Sequence, residues 1–313
     1  MRALQYDRYG GVDQLILREV PRPAARGGPL VRVAAAALNP KDALFRKGKF
    51  RLLSGRRFPK GCGLDFAGHV EVAGAGLAVG QQVFGMIDEF AFTRGTLADV
   101  VAVRPEEVCA LPEGVALADA AAVALVSLTA LQALRDVARV RTGARVLVNG
   151  ASGGVGTVAI QIARALGAHV TTISSAGTAE LCTQLGAERT LDYAGRDVAL
   201  QSGDYDVVFD VFGSLTFAQA RGALDRRRGV FVSTVPSAGR VLRDVLLRWG
   251  SHVERLVVVH PRRADLETLA GWLSSGVLRA VIDTRLPLER YAEAFARLES
   301  KHTHGKIVLE VEA

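Results

Sequence analysis

The sequence predicts an α/β protein of two domains, a β-rich first domain and a doubly wound parallel sheet with helices on both faces. Three observations carry this reading. The first third breaks into short alternating or apolar runs ("RALQYD", "LILREV", "LVRVAAAAL", "GHVEVAG", "QQVFGM", "TLADVVAV") punctuated by Gly and Pro, with no helical period. From Ala118 the chain reads "ADAAAVALVSLTALQALRDVA", free of Gly and Pro, as a buried helix should be. Beyond it apolar strands alternate with helical stretches, the pattern of a parallel sheet covered on both sides.

In chain order the alternation runs as strand "RVLVNG", a helix from Gly154, strand "HVTTIS", a helix over Ala179–Leu185 and strand "YDVVFDVF". A helix over Leu215–Leu224, strand "GVFVST", a helix over Arg240–Trp249 and strand "RLVVV" follow. Two last helical patterns, Asp265–Ser274 and Arg290–Leu298, precede a strand "GKIVLEV" that is expected to rejoin the first domain. The expected domains are therefore 1–118 with 265–313, and 119–264. No internal repeat is visible.

Composition narrows the function. A chain of 313 residues, 49% hydrophobic, can bury two cores. The start, "MRALQYDRYGG", lacks the apolar stretch of a signal peptide, and charge or glycine interrupts the hydrophobic runs before about twenty residues. A soluble, cytoplasmic protein without a membrane partner is expected. Cys62, Cys109 and Cys182 are odd in number and far apart, against a disulfide framework or a structural zinc cluster. The net charge of +7 raises nucleic acid as a partner. Only six of the 39 basic residues are lysines, however, and the arginines are scattered, so no nucleic-acid partner is expected. The run "RKGKFRLLSGRRFPK", Arg46 to Lys60, reads as a solvated basic loop or as a source of positive potential near an anionic ligand.

The chemistry-bearing motif is "VLVNGASGGVGTVAIQIARALGA", Val146 to Ala168. A strand that ends in glycines and opens a helix points backbone N–H groups, at the positive end of the helix dipole, toward a pyrophosphate. Read as the dinucleotide fingerprint, Ala151-Ser152-Gly153-Gly154-Val155-Gly156 keeps the second and third glycines and replaces the first by Ala151, with Gly150 just before it. NAD sites place a carboxylate at the end of the next strand for the ribose hydroxyls. Here that strand ends in Ser174-Ser175-Ala176-Gly177-Thr178, and no acid appears before Glu180. Hydroxyls and backbone N–H groups suit a 2′-phosphate, with Tyr193 and Arg189 able to close over it. NADPH is therefore expected over NADH, although no Lys or Arg lies between Thr171 and Glu188.

Taken together with "ALNPKD" (Ala37–Asp42), "GLDFAGHV" (Gly63–Val70), "ALVSLTAL" (Ala124–Leu131), "LGAERTLDY" (Leu185–Tyr193), "FDVFGS" (Phe209–Ser214) and "HGKIVL", these motifs resemble one family along nearly the whole chain. It is the zinc-independent quinone oxidoreductase branch of the medium-chain dehydrogenase/reductases, the relatives of ζ-crystallin. The resemblance implies a GroES-like β-rich catalytic domain, a Rossmann domain, a homodimer or tetramer, and reduction of quinones or activated alkenes by NADPH. It also implies that no catalytic zinc is held. Zinc-dependent relatives use Cys, a His-Glu pair and a second Cys or Asp, whereas this chain has Asn39 and Leu64-Asp65 at the corresponding places. Without a Lewis acid the acceptor must itself be electron-poor.

The resemblance assigns Gly150 to Gly156 to the pyrophosphate, and Ser174, Ser175, Thr178 and Tyr193 to the 2′-phosphate end. Thr129, Phe212 and Gly213 are assigned to the nicotinamide side, and Lys306 is expected to reach the cofactor. Asn39 would orient substrate or cofactor, Asp42 would pin its loop, and Lys41 is the candidate proton donor. Phe45, Phe50 and Phe92 would wall the acceptor pocket, where several relatives carry tyrosines after "NPxD". Paired His302 and His304 lack a third ligand, His69 and His169 read as edge residues, and Cys62 shows no base partner. Two competing functions share these motifs: a dedicated biosynthetic enoyl reductase, and a non-catalytic NADPH sensor or nucleic-acid binder.

Overall fold

The computed structural model describes residues 1–25, 27–89, 91–192, 203–235 and 253–312. Contacts divide the chain into Met1–Leu125 with His260–Ala313, and Val126–Val259. The boundaries expected at 118/119 and 264/265 thus move to 125/126 and 259/260. Composition marks where a helix begins, whereas packing decides where along it the chain changes its neighbours.

The first unit opens with strands β1 (Arg2–Tyr6), β2 (Ile16–Glu19) and β3 (Leu30–Ala37), then short helices α1 (Pro40–Arg46) and α2 (Arg51–Ser54). Strands β4 (Lys60–Gly61), β5 (Asp65–Val72), β6 (Gln82–Met86), β7 (Val100–Ala102) and β8 (Val108–Ala110) follow, and then helix α3 (Leu117–Leu131), whose residues to Leu125 belong to the first unit and the rest to the second. The sequence reading has no α1 or α2, because helices of seven and four residues are too short to establish a period. What starts α1 is local: Pro40 supplies a preset φ at its first position, and the Asp42 carboxylate accepts the Asn39 N–H at 2.8 Å. Helix α3 continues as a π-helical turn, Gln132–Val137. By length and composition Leu117–Val137 could cross a membrane, against the expectation that every apolar run is interrupted; 83% of its apolar window is buried inside the fold.

The second unit holds strands β9 (Arg145–Asn149), β10 (His169–Ile173), β11 (Arg189–Leu191), β12 (Val207–Asp210), β13 (Val230–Ser233) and β14 (Val253–Leu256). Between them lie α4 (Gly154–Ala165), α5 (Ala179–Gln184) and α6 (Phe217–Ala220). Every described pairing is parallel, in the order β11-β10-β9-β12-β13-β14. The order reverses between β9 and β12, and in such sheets ligands bind beyond the strand C-termini at that reversal. Leu147, Ile173, Val208 and Phe231 pack with Leu215 and Leu224 on one side of the sheet. The alternate residues Val146, Val148, Val170, Phe209 and Val232 are buried as well, so these strands read as continuous apolar runs. The predicted helix Arg240–Trp249 lies outside the described residues.

The chain then returns through α7 (Arg263–Ser274), β15 (Ile282–Pro287), α8 (Tyr291–Glu299) and β16 (Lys306–Glu310). As expected from the terminal apolar run, β16 pairs antiparallel with β3, Val308 opposite Ala37. The main sheet of the first unit runs β15-β16-β3-β5-β6-β8, with β7 also on β3. Lys306, the first residue of β16, is thereby brought into the same interior as Asn39, which follows β3.

Candidate active site

In the second unit the glycine turn sits at the C-terminal end of β9, beside the sheet reversal. Gly150 takes φ +83°, a left-handed conformation, and a Cβ there would meet the Phe212 Cβ at 2.8 Å. Gly156 packs on the turn: a Cβ would lie 2.3 Å from the Gly150 carbonyl oxygen. Gly153 is different. It is the residue before α4, extended at φ −79° and ψ 175°, with no side-chain cap, and a Cβ on it would meet nothing nearer than 3.7 Å. The turn therefore combines two close approaches with one open face, onto which the first N–H groups of α4 (Gly154, Val155, Gly156) project without intrahelical partners. Ala151 is fully buried, and Ser152 is half-buried. This fits a bound pyrophosphate: donors, dipole and space coincide, and no carboxylate caps the helix.

Two residues that the sequence reading missed lock the reversal. Asn149 ends β9 and Asp210 ends β12; the Asn149 amide donates to Asp210 at 2.8 Å and to the Ser214 hydroxyl at 2.9 Å. Asp210 in turn accepts the N–H groups of Gly213 (3.0 Å) and Leu215 (3.1 Å). The loop carrying Phe212 and Gly213 is thus held against the glycine turn, with Phe212 58% exposed. Gly213 has φ +78°, and its Cα faces Val235 too closely for a side chain. Their signal was present in "VNG" and "FDVFGS", but only the register makes them a pair. Thr129 is buried in α3.

At the end of β10 the hydroxyls divide. Ser174 is buried, its oxygen on the Ser175 carbonyl (3.4 Å) and the Cys182 sulfur (3.7 Å). This corrects its assignment to a phosphate contact: the strand alternation turns it into the core. Ser175 is half-buried and shares a 3.1 Å hydrogen bond with Thr178, which also donates to the Ser175 carbonyl at 2.8 Å. Thr178 is itself buried, so Ser175 is the accessible hydroxyl of the three. Tyr193 lies outside the described residues.

In the first unit four polar side chains meet in the interior. The Lys306 ammonium donates to Asn39 Oδ1 at 2.6 Å and to Asp65 Oδ2 at 3.0 Å. Asn39 donates its amide to the same carboxylate at 2.9 Å, and Asp65 Oδ1 accepts the Leu125 N–H at 2.7 Å. Asp42, besides holding Asn39, accepts the Gly63 N–H at 3.2 Å. Two expectations are corrected. Asn39 is buried with both ends of its amide engaged, so it does not present that amide to a substrate; Lys306 is buried on Asn39 and Asp65 rather than extended toward a cofactor. The pinning role expected of Asp42 is what the geometry gives it. Burial pushes the Asp42 carboxyl up to about 6, opposed by the Asn39 N–H and the Lys306 charge and assisted by Asp65. Burial likewise raises Asp65, opposed by Lys306, Asn39 and Leu125.

Lys41, on the second position of α1, is half-buried with its ammonium 5.7 Å from the Phe45 ring centre. Burial lowers its pKa, against Asp88 and Asp42, which raise it. That shift makes the ammonium a better acid. Phe45 stacks on Phe50 at 4.8 Å and meets Phe92 at 4.5 Å, so the three predicted pocket rings do converge. Phe45 and Phe92 are almost wholly buried, leaving Phe50 the accessible ring. Phe92 takes a left-handed φ of +54°, which is rare for an aromatic residue. Sequence reasoning also missed Arg46, fully buried between the Gly10 carbonyl, the Glu299 carboxylate and the Phe295 ring, where it clamps α1 to α8.

Zinc chemistry is the remaining question for this interior. The residues at the places of zinc ligands are an amide whose oxygen already faces an ammonium, a leucine, and a carboxylate neutralised by that ammonium. Such a set does not fit a divalent cation, which takes thiolate, imidazole or unpaired carboxylate donors. Among the described residues no group of three or more His, Cys, Asp and Glu is placed to hold a metal. Cys62, Cys109 and Cys182 are free and buried, and burial pushes the Cys62 thiol well up, away from reactivity.

Comparison with known proteins agrees with both units. Residues 25–113 match the alcohol dehydrogenase GroES-like domain family, and residues 185–309 match a family described as zinc-binding dehydrogenase. A chloroplast envelope quinone oxidoreductase homolog of Arabidopsis thaliana is 31% identical, with 99% of this chain and 98% of that protein covered. The NADPH-dependent alkenal/one oxidoreductase of Arabidopsis chloroplasts is 32% identical over 99% of this chain and 79% of its own length. The structure of the quinone oxidoreductase from Coxiella burnetii superposes with a TM-score of 0.89 at 31% identity, covering 100% of this chain and 99% of that one. With a GroES-like unit, a Rossmann-type parallel sheet and end-to-end similarity of this kind, the chain belongs to the quinone oxidoreductase branch of the medium-chain dehydrogenase/reductase superfamily.

Proposed function

We propose that the protein is a zinc-independent, NADPH-dependent reductase of quinones or α,β-unsaturated carbonyls. The observation that carries this is the uncapped glycine turn at the sheet reversal, together with an interior of the first unit that holds an ammonium where metal-dependent relatives hold ligands. The name of the alkenal/one oxidoreductase relative supports NADPH. So does the end of β10, where Ser175 and backbone N–H groups stand in place of the carboxylate that would repel a 2′-phosphate.

The residues divide the work as follows. Bound dinucleotide supplies a hydride from its dihydronicotinamide. The first turn of α4 holds the pyrophosphate, and Asn149–Asp210 fixes the loop of Phe212 and Gly213 next to it. Asn39, Asp65 and Lys306 hold the start of α1 and so set the position of Lys41 and Phe45. Lys41 donates the proton that an enone needs after hydride addition, whereas a reduced quinone takes protons from water. The acceptor rests on an apolar ring surface, which favours a planar, electron-poor molecule over an alcohol.

The test is oxidation of NADPH and, separately, NADH with panels of quinones, 2-alkenals and simple ketones. Faster turnover with NADPH, confined to quinones or alkenals, is the expected result; turnover of simple ketones, or indifference to every acceptor, contradicts the proposal. Lys41→Met is expected to lower kcat for alkenals about a hundredfold while leaving quinone reduction within a few-fold. Equal loss for both acceptor classes would remove Lys41 from the proton-donor role.

A further inference from the structure

The cations and exposed leucines of the basic run Leu44 to Arg57 take no part in the proposed chemistry, which uses only its rings Phe45 and Phe50. The run contains no acid, and none occurs between Asp42 and Asp65. Lys47, Lys49, Arg51, Arg56 and Arg57 are all exposed along it. At its tip Leu52 is 95% exposed, and Leu44 on α1 is 40% exposed. Leu52 is not left outside by a loose loop, because the segment is anchored from beneath. Ser54 is buried, shares a 2.8 Å hydrogen bond with the Tyr9 hydroxyl and donates to the Phe50 carbonyl at 3.1 Å. Its own carbonyl accepts the buried Lys60 ammonium at 2.7 Å. Glu299 reaches the segment from α8 and is taken up by Arg46 and Lys47. The remaining cations leave this face positive around a projecting aliphatic side chain.

We propose that this segment is a docking surface for an anionic lipid bilayer. Cations ringed around an exposed leucine match a layer of negative headgroups over hydrocarbon, since the charges draw the segment to the surface and Leu52 enters the headgroup boundary. A nucleic acid would satisfy the cations but offers nothing that rewards desolvating Leu52 and Leu44. The inner side of the same segment carries Phe50 stacked on Phe45. Docking would therefore place the proposed acceptor wall next to a phase in which apolar quinones dissolve; that last step rests on the proposed function, whereas docking itself does not.

The test is flotation of the full chain with vesicles of phosphatidylcholine alone and of phosphatidylcholine mixed with phosphatidylglycerol. The protein is expected to float with the mixed vesicles only, less so as salt is raised. Arg56→Glu with Arg57→Glu is expected to weaken this about thirtyfold or more, and Arg56→Lys with Arg57→Lys to retain it. Leu52→Ser is expected to weaken it roughly tenfold. All three variants should keep wild-type melting and NADPH affinity, so a failure of docking is read separately from a failure of the reductase proposal. Equal partition onto both vesicle types, or charge-reversed protein that floats like wild type, overturns the proposal. So does a Leu52→Ser variant that changes the oligomer but not flotation, which would make the surface a contact between copies, or duplex DNA bound as tightly as the mixed vesicles.

Discussion

Lys306 and Asp65 form the most consequential residue-level contact, since a lysine and an aspartate that are both almost wholly buried persist only as partners. Lys306→Met leaves the Asp65 charge in the interior and is expected to cost about 3–5 kcal/mol in urea unfolding. Adding Asp65→Leu should recover most of that loss, and a double variant no better than the single one would show that the pair is not the cause. Asp42 gives a pH signature. Its carboxyl titrates at about 6 in the fold against 3.8 for the ordinary group, so the folded state holds a proton that the unfolded chain has released. The burial cost is therefore present above about pH 6 and disappears by about pH 4, and wild type should gain about 3 kcal/mol relative to Asp42→Asn as pH falls across that window. A flat difference between the two proteins would refute it. From sequence Asn39, Asp42 and Lys306 were visible as motif residues, yet their partners were not: Lys306 and Asn39 are joined by the β16–β3 pairing, which no local pattern encodes.

Among the elements, the strand, turn and helix from Arg145 to Ala165 show how much a sequence can carry. The apolar run, the glycines and the helical period are all local, and each marks its own structure. The open face at Gly153 leads to a prediction with two opposite signs. Gly153→Asp meets no steric obstacle and caps α4, so thermal stability should hold or rise by a few tenths of a kcal/mol. The same carboxylate faces the pyrophosphate, and NADPH affinity measured by fluorescence titration should fall about a hundredfold. Affinity that survives the substitution would place the dinucleotide elsewhere. What stayed hidden at this scale was short or double-sided: α1 and α2 lack the length for a period, and Ser174 looks like an outward hydroxyl until the strand alternation turns it inward.

For the whole molecule, the fold class was legible because two patterns change visibly along the chain, from alternating strands to a buried helix and then to strand–helix alternation. The division into units was less so, since it falls within α3, where the sequence is uniform in character. In the proposed function hydride transfer proceeds without a metal, and the Lys306 ammonium occupies the interior that ligands fill in zinc-dependent relatives. The direct measurement is NADPH oxidation by a quinone before and after exhaustive chelation, with zinc content determined on the same samples and zinc then added back. One rate throughout, independent of zinc content, is the expected result. Activity that disappears with the metal and returns with it would contradict metal-free hydride transfer.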